Sequence, residues 1–168
     1  MGDFLKDLKV NCEEGKICQI GIVVKDLDEA VERFYKDFNI GPWYFWNFEQ
    51  PELTEMFYKG EPMQGYGFKI ALASLGGVQC ELIQPLYGKG THTDFLEKRG
   101  EGLHHIKLYY KDINKALDNF KAKGILPLQS GKYGEDIHVY LDTESSHGIL
   151  MEIGNNSEIG KYLKKYPE

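Results

Sequence analysis

Four polar side chains with metal-ligand chemistry lie inside short stretches whose other residues are typical of β-strands. They are Gln19, Glu81, His105 and Glu152. Side chains alternate between the two faces of a strand, so each of the four points away from its apolar neighbours. A carboxylate inside a sheet is costly unless it is paired or bound to a cation. Two such carboxylates on one face therefore predict one divalent metal ion between them, with the amide oxygen and the imidazole as further ligands.

The donor set leaves both the metal and a simpler interpretation open. Mostly oxygen donors with one imidazole suit Zn, Co, Ni, Mn or Fe, and the set alone does not choose among them. A single strand Gln or His is usually just a hydrogen-bonded polar residue. The two glutamates could also pair with cationic side chains instead of a metal. The candidates for that pairing are Lys69, Lys107 and Arg99.

An internal repeat ties the four residues together. The segment that begins at Gln19, QIGIVVKDLDEAVERFYKDFNI, aligns without gaps on the segment that begins at His105, HIKLYYKDINKALDNFKAKGIL. Each copy has an apolar strand and then apolar residues at helical spacing, with Asp26 or Asp112 where an N-cap carboxylate is expected. Gln19 and His105 then occupy matching positions. The acids lie on the last strand of each half, so pairing of the halves would bring all four side chains to one point.

The repeat also predicts the architecture. We expect an α+β fold in which two tandem β-α-β-β-β modules form a curved, mostly antiparallel sheet around a metal-binding cavity. The modules span residues 16–86 and 103–155, with a linker at 87–102 that contains a short helix over 93–98. Residues 1–15 and 156–168 are predicted to be extensions. The insert at 51–66 is polar and punctuated by Gly and Pro, which favours a loop or lid over a site.

The overall charge and the cysteines exclude several classes of protein. A formal charge of -6 and a pI near 5.4 argue against nucleic acid or an anionic membrane as partner, because both require a cationic surface. Three cysteines without C-x-x-C spacing suggest neither a disulfide framework nor a zinc ribbon. No secretory leader or membrane span is predicted from the apolar runs. The expected protein is cytoplasmic and has a small-molecule partner.

From about Lys16 to Asn155 the chain resembles the vicinal oxygen chelate superfamily, which includes glyoxalase I, methylmalonyl-CoA epimerase, extradiol dioxygenases and bleomycin-resistance proteins. The strings that look most like the epimerase branch are QIGIVVKDLDEAVERFY, ELIQPL, FLEKRGEGLHHIKL and SHGILMEIG. In that branch, strings of the GxHHI and GVLxEL types carry metal ligands, and they match His105 and Glu152. Epimerases usually carry His at the first ligand position, where Gln19 stands here. The resulting ligand set is instead similar to that of some glyoxalase I enzymes.

This resemblance implies proton abstraction next to a carbonyl, assisted by a Lewis-acid metal. It implies that Glu152 is both ligand and base and that Glu81 is the partner or second base on the opposite face. The strand GFKIALAS, on which epimerases carry a further proposed base, offers Lys69 and no carboxylate. The implied substrate is an acyl-CoA thioester or a hemithioacetal. Family members often dimerise, which leaves a homodimer open.

Three functions therefore stay open. The first is a metal-dependent epimerase like methylmalonyl-CoA epimerase, for which Lys89, Lys98 and Arg99 are candidates to bind the nucleotide phosphates. The second is a glyoxalase I-like lactoylglutathione lyase. The third is a non-enzymatic, resistance-type binding protein whose cavity would be lined by aromatic residues of the run 43–48. An extradiol dioxygenase is disfavoured, because Fe(II) oxygen activation typically uses two histidines and one carboxylate.

Overall fold

The structure is a computed structural model that describes residues 7, 8, 10 and 12–168, so the predicted extension at 1–15 falls partly outside the described residues. The strands are β1 Ile17–Val23, β2 Trp43–Glu49, β3 Leu53–Tyr58, β4 Glu61–Pro62, β5 Gly67–Ser74, β6 Gln79–Tyr87, β7 Gly102–Tyr109, β8 Pro127–Tyr133, β9 Asp136–Leu141, β10 Leu150–Gly154 and β11 Lys164–Tyr166. The helices are α1 Leu27–Phe38, α2 Thr91–Arg99, α3 Ile113–Ala122 and α4 Glu144–His147. No helix among these is long and apolar enough to cross a membrane.

The predicted helix starts are confirmed. The Asp26 carboxylate accepts a hydrogen bond from the backbone N–H of Glu29 at 2.9 Å, and the Asp112 carboxylate accepts one from Lys115 at 3.0 Å. Each bond satisfies one of the N–H groups that a helix leaves free in its first turn. The chain therefore leaves strands β1 and β7 and turns into helices α1 and α3 in the same way. The short helix expected in the linker is also present, as α2.

The strands form one mixed sheet whose order is β11-β2-β5-β6-β1-β7-β10-β9-β8-β3-β4. The first strands of the two halves, β1 and β7, pair antiparallel at its centre. Each also pairs in parallel with the last strand of its own half, β6 or β10. The predicted α+β class with two β-α-β-β-β modules is confirmed, and the remaining strand pairs are antiparallel as expected. The module and linker boundaries stay a prediction.

The insert at 51–66 is not a simple loop, because it forms the hairpin β3–β4. Strand β3 pairs antiparallel with β8 and so extends the half of the sheet that belongs to the second module. Only three residues separate β2 from β3 in the chain, yet the two strands lie near opposite ends of the sheet order. The sheet must therefore curl until its two ends approach each other. This curl encloses the cavity described below.

The two faces of the sheet have different cores. Trp43 and Phe45 pack with α1 on the outer face, whereas Trp46 and Phe48 lie on the inner face and line the cavity. This division follows from the alternation of side chains along β2. Helix α3 covers the outer face of the second half with a smaller apolar cluster that includes Ile113. The aromatic run thus serves partly as core and partly as cavity lining.

Replacing Met56 with Ala tests the packing of the insert. Met56 is buried in the inner-face core, so the substitution should lower the free energy of unfolding by about 2–5 kcal/mol. Thr54 lies on the same strand but is exposed, so Thr54→Ala should change it by no more than about 0.5 kcal/mol. Denaturant unfolding measures both values. Equal, small effects would contradict a packed hairpin.

Candidate metal centre

Three of the four predicted ligands meet at one point on the inner face. The ligand atoms of Glu81, His105 and Glu152 all lie within 4.8 Å of one another. The Nε2 atom of His105 is 3.4 Å from Oε2 of Glu81 and 2.9 Å from Oε2 of Glu152. The side chains come from strands β6, β7 and β10, which are neighbours or next neighbours of β1 in the sheet order. The two acids therefore approach the imidazole from opposite sides of the central strand pair.

The fourth predicted ligand, Gln19, lies in the wall of the same cavity. Its side chain is buried, and its amide nitrogen donates a hydrogen bond to the Gln79 side-chain oxygen at 3.2 Å. That bond fixes which end of the amide faces the neighbouring strand. The oxygen of Gln19 is left without a hydrogen-bond partner among the described residues. This oxygen is therefore available to coordinate a cation.

A cation fits the unsatisfied atoms of this group. Among the described residues, Oε1 of Gln19, Nε2 of His105 and Oε2 of Glu152 are buried and have no hydrogen-bond partner. The last two atoms lie 2.9 Å apart and form an ion pair when His105 carries a proton, whose place a metal ion would take. Buried polar atoms are nearly always paired, so these three orphans indicate a missing partner, and an amide oxygen, an imidazole nitrogen and a carboxylate oxygen are donors that suit a cation. The residues present therefore fit a divalent ion.

A glycine and a second histidine position the ring of His105. His105 is fully buried and pairs across the strands with Gly21. A Cβ atom at residue 21 would lie 1.9 Å from Cε1 of the ring, so only glycine leaves room for it. Nδ1 of the ring is 3.0 Å from Nδ1 of His104. These two contacts direct Nε2 toward the acids.

The charges in the group perturb one another strongly. Burial opposes protonation of His105, but the charges of Glu152 and Glu81 outweigh it and raise the pKa of His105 from 6.5 to about 9. Burial likewise favours the neutral form of Glu152, yet Lys107 and His105 lower its pKa from 4.5 to about 2. Glu152 is therefore ionised at neutral pH although it is only 2% exposed. Such perturbed groups in a cavity are typical of functional sites.

The cavity has a volume of about 1070 Å³ and two kinds of lining. The polar part of the lining includes the two acids, Lys107 and Gln19. Apolar side chains form much of the rest, and they include Trp46, Phe48, Phe68, Ile70, Leu72 and Ile83. Residues 155–162 close part of the wall. A small-molecule site commonly combines an apolar body with a few converging polar groups, and this cavity has both.

Sequence reasoning missed the histidines around the site, because they do not fall at matching positions of the repeat. His92 is buried between the hydroxyl groups of Tyr66, at 2.8 Å from Nδ1, and Tyr140, at 2.9 Å from Nε2. Burial lowers the pKa of His92 and lowers that of His104 to about 3, so both rings are neutral. The adjacent pair in the string GLHHI was the signal available for His104. His147, in contrast, is exposed.

The lysines and the arginine suggested for phosphate binding lie elsewhere. Lys98 pairs with Asp94 at 3.3 Å and Arg99 pairs with Glu144 at 2.9 Å. Lys89 is exposed, and none of these three cations lines the cavity. Lys98 and Arg99 therefore form surface ion pairs, and such pairs contribute little to the stability of a fold.

Comparison with known proteins places the chain in a family. The model of the glyoxalase/bleomycin resistance protein/dioxygenase superfamily matches residues 18–140. The chain belongs to this superfamily. The match includes β1, β6 and β7, which carry three of the four predicted ligands.

Several proteins similar to this chain are methylmalonyl-CoA epimerases. The mitochondrial methylmalonyl-CoA epimerase of Homo sapiens is 26% identical over 144 residues, which are 83% of this chain and 73% of that protein. The crystal structure of methylmalonyl-CoA epimerase from Mycobacterium tuberculosis superimposes with a TM-score of 0.62 at 16% identity, covering 89% of this chain and 93% of that one. A Streptomyces coelicolor methylmalonyl-CoA epimerase variant in complex with 2-nitronate-propionyl-CoA gives a TM-score of 0.59 at 22% identity, covering 84% and 97%.

Replacing Gly21 with Ala tests whether the position of the His105 ring matters for metal binding. The added Cβ atom would displace the ring, so the affinity for a divalent ion should fall by about 10- to 100-fold, as expected when a ligand loses its orientation. Calorimetric titration with Co²⁺ measures this change. The control is Gly77→Ala, because a Cβ atom there meets nothing within 4 Å. Unchanged affinity in folded Gly21→Ala protein would show that Nε2 of His105 is not a ligand.

Proposed function

We propose that this chain is a metal-dependent epimerase that removes and returns the proton next to the carbonyl of an acyl-CoA thioester, as the name of its epimerase relatives suggests. The observation that carries the proposal is the meeting of Glu81, His105 and Glu152 at one point of a large, partly apolar cavity. Membership of the superfamily supports it, because the isomerising members are expected to share this chemistry.

Four residues would hold the metal in this proposal, namely Gln19, Glu81, His105 and Glu152. A divalent ion bound to them supplies Lewis-acid stabilisation of the negative charge that develops on the carbonyl oxygen as the proton leaves. The orphaned buried atoms of Gln19, His105 and Glu152 support this assignment. The ion itself could be Zn, Co, Ni, Mn or Fe.

The two carboxylates would move the proton. Epimerisation requires a proton acceptor on one face of the substrate carbon and a donor on the other. Glu152 and Glu81 flank the central strand pair from opposite sides, which supports Glu152 as the base and Glu81 as its partner on the opposite face. Glu81 is the more accessible of the two, with a side chain that is 13% exposed against 3% for Glu152. Lys107 and His105 lower the pKa of Glu152 and so hold it in the ionised form that a base requires, although the same positive charges weaken it as a proton acceptor.

Replacing Glu152 with Gln separates base from ligand. The amide oxygen can still bind a metal, but it cannot accept a proton, so turnover should fall by about 10²- to 10⁴-fold while the bound metal is retained. Epimerisation of methylmalonyl-CoA and elemental analysis of the same sample give the two readouts. The control is Glu32→Gln, because Glu32 is half-exposed on α1 and does not line the cavity. Full turnover by Glu152→Gln would rule out Glu152 as the base.

A glyoxalase I-like lyase is the second candidate, and the free amide oxygen of Gln19 favours it, because glyoxalase I enzymes of similar ligand set carry Gln at this position. Deuterium exchange from solvent into racemic methylmalonyl-CoA and into a hemithioacetal, followed by NMR with and without chelator, distinguishes the candidates. We expect exchange into the acyl-CoA alone, abolished by the chelator. Metal-dependent exchange into the hemithioacetal alone would favour the lyase. No exchange into either would favour a non-enzymatic binding protein.

A further inference from the structure

Three buried side chains form a chain of hydrogen bonds that ends at the cavity wall. The Tyr66 hydroxyl is 2.8 Å from Nδ1 of His92, and the Tyr140 hydroxyl is 2.9 Å from Nε2 of the same ring. His92 and Tyr140 line the cavity, whereas Tyr66 does not. Burial lowers the pKa of His92, so the ring is neutral and has one N–H group. One tyrosine must therefore accept a hydrogen bond from the ring, and the other must donate one to it.

Gln129 decides which tyrosine is the donor. The backbone N–H of Thr91, the first residue of α2, donates to Oε1 of Gln129 at 2.8 Å. This bond places the amide oxygen, so the amide nitrogen is the end left for Tyr66. Burial raises the pKa of Tyr66, and a hydrogen bond from Gln129 offsets part of that rise. Among the described residues, no other group pairs with this nitrogen.

The direction of each further link follows from the one before it. The Gln129 amide donates to the Tyr66 oxygen, so the Tyr66 hydroxyl donates to Nδ1 of His92. The single hydrogen of that ring is then on Nε2, and Nε2–H donates to the Tyr140 oxygen. In the opposite direction the Tyr66 hydrogen would point at the N–H groups of Gln129, and two donors would meet. A chain that begins at a backbone N–H, which can only donate, therefore runs toward the cavity.

Close packing holds this chain in place. Tyr66 is fully buried and Gln129 is 1% exposed. A Cβ atom at Gly90 would lie 2.7 Å from Cε2 of Tyr66 and 2.8 Å from Oε1 of Gln129, so glycine is required where the start of α2 meets the two side chains. Polar groups buried in this way have few alternative partners. The hydrogen-bond direction is thus a fixed property of the fold.

The last hydroxyl of the chain lies beside the candidate metal centre. Tyr140 pairs with Glu152 across β9 and β10, and its ring centroid is 5.1 Å from that of His105. Within the part of the chain that the structure describes, His92 is the hydrogen-bond partner of the Tyr140 hydroxyl. Because Tyr140 accepts that bond, its own hydrogen stays available. A ligand in the cavity is the natural acceptor for it.

We propose that Tyr140 donates a hydrogen bond to an oxygen atom of the substrate, and that the residues behind it only position its hydroxyl group. A donor held in place before the reaction stabilises negative charge that develops on an oxygen. In the proposed function this is the carbonyl oxygen next to the carbon that loses its proton, so the identity of the oxygen rests on that function. The direction of the hydrogen-bond chain does not depend on it.

The tautomer of His92 tests this direction in the unmodified protein. Residue-assigned ¹⁵N NMR of the imidazole nitrogens distinguishes the two neutral forms. We expect the hydrogen on Nε2 and a bare Nδ1. A hydrogen on Nδ1 would overturn the proposal, because Tyr140 would then have to donate to Nε2 and would have no hydrogen left for a substrate.

Replacing Tyr140 with Phe removes the hydroxyl and keeps the ring that packs on His105. The probe is acetohydroxamate, an anion whose two oxygen atoms can bind one metal ion. Its binding to Co²⁺-loaded protein should weaken by about 10- to 100-fold, since a hydrogen bond to a charged group is lost. Co²⁺ affinity itself should stay the same, because the hydroxyl is not a ligand. Calorimetric titration and the visible absorption of Co²⁺ report both. The control is Tyr58→Phe, whose hydroxyl bonds Asp94 at 2.7 Å away from the cavity.

Turnover gives a second readout, because exchange into methylmalonyl-CoA should slow in Tyr140→Phe by a similar factor. Unchanged acetohydroxamate binding in the folded variant would overturn the proposal. Failure of the proposed function has a different signature, namely wild-type protein that binds no Co²⁺ or catalyses no exchange. In that case the tautomer of His92 would still confirm or reject the hydrogen-bond chain.

Discussion

Two carboxylates converge on one buried imidazole, and this electrostatic constraint governs the rest of the site. Glu81 and Glu152 would repel each other in a medium of low dielectric constant unless positive charge lies between them. The chain supplies part of that charge through Lys107 and through the raised pKa of His105. The orphaned atoms that remain indicate that this compensation is incomplete. A divalent cation bound among them would complete it.

The duplicated fold explains how residues far apart in sequence reach this point. The first strands of the two halves pair at the centre of the sheet, and the last strand of each half returns beside its own first strand. One predicted ligand then lies on each of four adjacent strands, and three of them, Glu81, His105 and Glu152, meet at one point. The two halves differ in sequence at some matching positions, so the site they form is not symmetric. Gly21 admits an imidazole at the place where the other half carries Lys107.

Much of the fold and of the candidate site was predictable from the sequence, because it follows from the alternation of side chains along strands and from the internal repeat. Alternation along the strands identified the inward-facing acids, and the gapless alignment of the two halves placed His105 at the position that matches Gln19. The hairpin β3–β4 was not predictable, because its pairing with β8 depends on curvature of the whole sheet. The hydrogen bonds of His92 with two tyrosines were not predictable for a similar reason, since Tyr66, His92 and Tyr140 come from three separate parts of the chain. Lys107 was considered only as an alternative partner for an acid. The structure shows that pairing, with Nζ of Lys107 at 3.3 Å from Oε1 of Glu152.

Anomalous diffraction from a crystal soaked in Co²⁺ tests the presence of a metal between the two acids most directly. We expect one strong anomalous peak per chain, at about 2.0–2.2 Å from Nε2 of His105 and from carboxylate oxygens of Glu81 and Glu152, with the Gln19 amide oxygen at a similar distance. The peak should be absent at the same position in a Glu81→Gln, Glu152→Gln double variant whose fold is intact. A wild-type crystal with its Co²⁺ elsewhere, and with these side chains hydrogen-bonded only to one another and to water, would contradict a metal centre at this point.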